Sequence, residues 1–102
     1  MSLIDSLSLK EALLLQLYAT HPVRQNYVKL AYDLNQIARR RISPSSIRAR
    51  VSELQRRDLI FNSHDGYRLA EKGVMFVEED LAPTLTDDDL NLFGEPVEQT
   101  QK

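Results

Sequence analysis

A chain of 102 residues has room for one small domain, and its 42% apolar content sustains a single core. With no cysteine, disulfides and thiolate metal sites are excluded; no apolar run approaches the ~20 residues that span a bilayer, so no membrane partner is expected. Asp5 and Glu11 interrupt any basic leader at the start, and the expectation is a soluble protein of the cytoplasm.

The formal net charge of -2 conceals a division along the chain. Residues 1–38 are balanced, residues 39–68 carry eight arginines and a net +5, and residues 69–102 carry nine acids and a net -7. Such asymmetry points to a polyanionic partner beside a separate acidic tail, although solvated patches of either sign also occur without a ligand.

The first predicted helix starts at Ser8, with Glu11 at the spacing of a capping box. Leu9, Leu13, Leu14 and Leu17 mark its apolar face, and Pro22 ends it. A second helix follows Asn26, a capping residue, with Leu30, Leu34, Ile37 and Ala38 as its stripe. Ser43-Pro44 then opens a third helix: a hydroxyl to cap it and a proline with preset φ at its first position. Ile47, Val51 and Leu54 repeat at i, i+4 and i+7 and point inward. The opposite face collects Ser45, Ala49, Ser52 and Arg56, with Arg48 beside them.

Two β-prone runs, at 59–62 and 67–69, flank Asp65-Gly66, a favoured hairpin turn. Residues 70–81 read as a short fourth helix. From 82 to 102 the chain is acidic, poor in aromatics and broken by Pro83, Gly94 and Pro96, a composition predicting disorder. The domain boundary is accordingly placed after residue 81.

Taken in order, residues 36–60 and 67–73 resemble a winged helix-turn-helix domain of the small prokaryotic or phage regulator type, as in the MarR and PadR groups, a likeness that covers roughly residues 9–80. The residues that carry the likeness are Ile37-Ala38, Ser43-Pro44-Ser45, Leu54, Asp58-Leu59-Ile60 and Ala70-Glu71-Lys72-Gly73. The chain departs from that pattern in a shorter, basic turn before Ile42 and in Arg50, and the long dimerisation helices of MarR proteins do not fit in it. The resemblance implies a mainly α fold with a small β-hairpin wing, and a sequence-specific double-stranded DNA-binding regulator of transcription. Its third helix would enter the ~12 Å major groove.

On that reading the DNA-binding candidates are Arg39, Arg40 and Arg41 on the backbone, and Ser43, Ser45, Ser46, Arg48, Ser52 and Arg56 along helix three. His64 and Arg68 join them on the wing. The bland alternatives stand beside these. Arg56 and Arg57 also complement a helix C-terminus, Arg50 reads as a structural residue paired with Glu53 or Asp33, and His64 as a turn residue. A homodimer is expected if the site is palindromic, through residues 1–7 or 74–77.

No catalytic constellation is present in the sequence. His21 and His64 have no partners at metal-ligand spacing, and the glycines Gly66, Gly73 and Gly94 form no phosphate loop. No enzyme activity, cofactor or metal is expected. Within the tail, Leu90, Leu92 and Phe93 of the stretch 89–93 resemble the bacterial sliding-clamp binding pentapeptide, with Asp89 in place of its glutamine. This carries the alternative reading, a protein-interaction module that docks a replication partner through the tail.

Overall fold

Ser8 holds the incoming chain extended and begins α1 (Leu9–Thr20). Its Oγ accepts from the Glu11 N–H at 3.1 Å, while Glu11 Oε1 accepts from the Ser8 N–H at 2.9 Å. This reciprocal cap satisfies two amide donors that a helix start leaves open. The computed structural model describes residues 7–21, 23–38, 41–63, 66–91 and 93. Residues 12–17 are all buried, Gln16 included, where leucine spacing predicts a single apolar face. The reason is tertiary: α1 is packed by α2, α3, the hairpin and the helical stretch that follows it.

α2 (Tyr27–Ala38) is capped by Asn26, whose Oδ1 accepts from the Lys29 N–H at 2.8 Å. Leu30 and Leu34 are fully buried and Ile37 half-buried, as its stripe predicts. Asp33 is buried on the same helix. Its Oδ2 accepts from Lys29 Nζ at 2.9 Å, one turn back, and lies 3.4 Å from Gln16 Nε2 on α1.

α3 (Pro44–Arg56) buries Ile47, Val51 and Leu54 against α1 and α2. Full burial of such side chains contributes about 1.5–3 kcal/mol each, which is what holds so polar a helix in place. Its end is a Schellman motif: the Leu59 N–H donates to the Leu54 carbonyl at 3.1 Å and the Asp58 N–H to that of Gln55 at 3.0 Å. The motif requires a left-handed residue, and Asp58 supplies it at φ 64°.

Strands β1 (Ile60–Ser63) and β2 (Gly66–Leu69) form a two-stranded antiparallel sheet, with Ile60 opposite Leu69 and Phe61 opposite Arg68. Period-2 alternation buries Ile60 and Leu69 and leaves Phe61 exposed. The loop before α2 joins the hairpin, because Gln25 and Tyr67 exchange two backbone hydrogen bonds of 2.8 Å. Gly66 permits that approach: it sits at φ 132°, and a Cβ there would lie 2.9 Å from the Gln25 carbonyl oxygen.

α4 (Glu71–Phe76) lies so close to the start of β1 that a Cβ on Gly73 would come within 2.1 Å of the Leu59 carbonyl oxygen. The helix widens into a π-helical turn over Val77–Leu81, followed by a 3₁₀ turn over Ala82–Thr84. Here the structure departs from the composition. α5 (Asp87–Leu90) is capped by Thr86 and Asp89 in a second reciprocal box, and Phe93 is buried. Residues 82–91 are therefore folded where disorder is predicted; 94–102 lie outside the described residues. Leu85, Leu90 and Phe93 join the core, and these few apolar contacts are what a count of charges overlooks. The fold is thus mainly helical with one small hairpin. Among the described residues no helix is long and apolar enough to cross a membrane.

Candidate nucleic-acid interface

From Arg41 onward the basic stretch leads through a short entry segment into a helix with two unlike faces. Ser43 Oγ accepts from the Ser46 N–H at 3.2 Å, and Pro44 takes the first helical position. A contact that sequence spacing does not reveal sets the angle of this start. Asn35, on α2, accepts from the Ile42 N–H at 2.6 Å and donates to the Ile42 carbonyl at 3.0 Å. One side chain thereby closes the turn between the two helices and satisfies both polar groups of a buried residue.

On the outward face Ser45, Arg48, Ala49, Ser52 and Arg56 are all exposed, as are Arg41, Ser43 and Ser46 at the entry. The entry is hydroxyl-rich: Ser43 Oγ lies 3.2 Å from Ser45 Oγ and donates to Ser46 Oγ at 3.1 Å. Arg41, Arg48, Arg56 and Arg57 form no ion pair among the described residues. All four are exposed, Arg48 and Arg56 on the outward face of the helix and Arg41 and Arg57 at its two ends. Ser52, Gln55 and Arg56 line a shallow depression on that face.

Arg50 behaves differently. It is half-buried and pairs with Glu53 at 2.7 Å, while Lys10 of α1 reaches the same carboxylate at 3.1 Å. The hydrogen bond from Lys10 and the nearby Arg50 and Arg56 charges hold the Glu53 carboxyl below its ordinary range, against a smaller opposing effect of burial. Of the two partners read for Arg50 from the sequence, the structure selects Glu53; Asp33 is taken by Lys29.

Among the described residues two cations rest over aromatic rings. The Arg48 guanidinium lies 5.5 Å from the centroid of Tyr27, at the start of α2. That of Arg68 lies 4.9 Å from the centroid of Phe61, its cross-strand partner on the outer face of the hairpin. Tyr27, Asn35 and Phe61 are absent from the sequence-derived set of site residues. Of the three, only Phe61 has a sequence signal, its alternation with the buried Ile60. Arg39, Arg40 and His64 lie outside the described residues.

The tail motif is divided. Leu90 is half-buried against the core, Phe93 is buried with 7% of its surface exposed, and Leu92 lies outside the described residues. Asp89 is occupied in the α5 cap. The structure therefore brings Arg41, Ser43, Ser45, Ser46, Arg48, Ser52 and Arg56 onto one helix and its entry, with Arg68 separately on the hairpin. Compared with protein-family models, with curated proteins and with solved structures, the chain matches none.

Proposed function

We propose that the protein binds double-stranded DNA as a winged helix-turn-helix module, with α3 in the major groove and the hairpin as its wing. The observation that carries this reading is the outward face of α3. Serine hydroxyls stand at its N-terminal end, and Arg48 and Arg56, which form no ion pair among the described residues, lie along it, on a helix whose other side is committed to the core. A helix matches the ~12 Å width of the major groove, and an arginine fork matches the two acceptors of guanine. The order of elements supports the same reading: two helices joined by a tight turn, then a hairpin, with the loop before α2 bridged to the hairpin edge.

The division of labour follows from exposure. Arg48, with Ser45, Ser46, Ser52 and Arg56, reads base edges and Arg41 binds phosphate; Arg39 and Arg40, outside the described residues, are given the same phosphate role from their charge and place in the sequence alone; and the face serves a regulator of transcription rather than a catalyst. The reading of 89–93 as a clamp-docking peptide has no support of comparable kind. Phe93 is packed into the core, so docking through it first requires that residue to be released.

Gel shifts of random duplex DNA over a salt series test the proposal. Binding that falls steeply with salt is expected, since each phosphate contact releases a counterion. Arg48→Ala should cost about 1–3 kcal/mol on the preferred duplex and relax specificity at one position. Absence of binding at ~50 mM salt defeats the reading, because non-specific contacts are strongest at low salt.

A further inference from the structure

We infer that Tyr27 is a positioning residue for Arg48, holding its guanidinium where the N–H donors remain free to read a base. The inference rests on the DNA-binding reading above and adds to it a residue outside the basic stretch. Two arginines of α3, two positions apart, show the contrast. Arg50 spends donors on Glu53 at 2.7 Å. Arg48 is exposed and forms no ion pair among the described residues, yet its guanidinium carbon lies 5.5 Å from the Tyr27 centroid. Attraction to a π face uses none of an arginine's N–H groups, so the side chain is restrained without being consumed.

A restraint is only as good as its anchor. The Tyr27 ring is half-buried and packed against the core. It begins α2, directly after the Asn26 cap. Gln25, the residue before that cap, is tied to Tyr67 by two backbone hydrogen bonds of 2.8 Å. Tyr27 is thus fixed from the helix on one side and from the hairpin on the other. It hands the position of both to an arginine on the outward face of α3. An exposed arginine without that contact samples many rotamers and loses that freedom on binding. Pre-orientation therefore favours the one duplex whose acceptors meet the fork, and leaves non-specific phosphate binding unchanged.

The test has a part without DNA and a part with it. In the free protein, the Arg48 side-chain methylene protons should show a ring-current shift in wild type and in Tyr27→Phe, which keeps the ring, and lose it in Tyr27→Leu. With DNA, the ratio of affinity for the selected duplex over a scrambled one should be retained by Tyr27→Phe. It should fall about two- to fivefold in Tyr27→Leu, the range of an exposed cation–π contact. Affinity for the scrambled duplex should not change, and Tyr27→Leu should add nothing in an Arg48→Ala background.

The inference is overturned by an absent ring-current shift in wild type, by an unchanged ratio in Tyr27→Leu, or by equal loss on both duplexes. An effect of Tyr27→Leu that persists without Arg48 overturns it as well. If thermal melting shows Tyr27→Leu to be unfolded, Arg48→Lys takes its place, since it keeps the charge and removes the planar fork; a retained ratio there is equally fatal. Failure of wild type to bind any duplex brings down the DNA reading and this inference together. Selective binding with no Tyr27 effect brings down only the inference.

Discussion

α3 and the described part of the acidic segment, residues 82–91 and 93, carry opposite charge, yet both are attached to the molecule by apolar side chains facing inward. α3 does so densely, with Ile47, Val51 and Leu54 at the spacing of one helical face. The later segment does so sparsely: among its described residues Leu85 and Leu90 are half-buried, and Phe93 alone is buried outright. The difference teaches that charge decides which face of a segment meets water, whereas a few well-placed apolar contacts decide whether the segment is ordered at all. Periodicity exposes the first arrangement to a reader of the sequence. Nothing regular in 82–93 exposes the second.

Truncation of the two anchors tests this most severely. Leu54→Ala should destabilise the whole protein by about 2–5 kcal/mol in a denaturant melt, since it opens a cavity in the central packing. Phe93→Ala should cost less, about 1.5–3 kcal/mol, the transfer value of one aromatic side chain. Its loss of amide protection should be confined to residues after 82. If Phe93→Ala instead lowers protection throughout α1 and α3, the segment belongs to the same cooperative unit and the comparison fails.

A smaller effect separates caps from cores. Ser43→Ala removes the side-chain acceptor at the α3 entry and should cost about 1 kcal/mol of thermal stability. A change near zero would show that the Asn35 clamp on Ile42 alone sets that start. The smallest effect concerns the charges between α1 and α3. Because the Glu53 carboxyl is held below its ordinary range in the fold, its contribution is present above the unfolded value and lost as pH falls through the folded one. Melting temperatures followed from pH 6 downward should therefore decline less in Glu53→Gln than in wild type. Parallel declines would mean that Lys10 and Arg50 do not stabilise the folded carboxylate.

Much of the fold is legible because its signals are local. The Ser8–Glu11 box, the Asn26 cap, the Ser43-Pro44 start and the stripes of α2 and α3 all appear where spacing predicts them. The outward face of α3 is legible for the same reason, since a helix with one apolar stripe must expose the other side. The division of the arginines is legible only in part. Arg50 is recognisable as structural from its place near the buried face. That Arg48 stands over Tyr27 and Arg68 over Phe61 requires the packing of α2 on α3 and the register of the hairpin. The helical turns within 82–91 and the burial of Phe93 are not legible from composition, which averages over residues, whereas these depend on a few of them.

By itself, then, the sequence determined helices α1 to α4, the caps of the first three, the hairpin and which side of α3 meets solvent, because each depends on residues within a turn or two of one another. The tertiary structure alone decided the burial of all of residues 12–17 in α1, the clamp of Asn35 on Ile42 and the bridge of Gln25 to Tyr67. It also decided which arginines are engaged and where Phe93 goes. Each of these joins residues that chain spacing leaves unrelated, such as Lys10 with Glu53, or Tyr18, whose hydroxyl donates to Glu78 at 2.9 Å. Such pairs are chosen by how helices and hairpin pack together, and no local pattern encodes that choice.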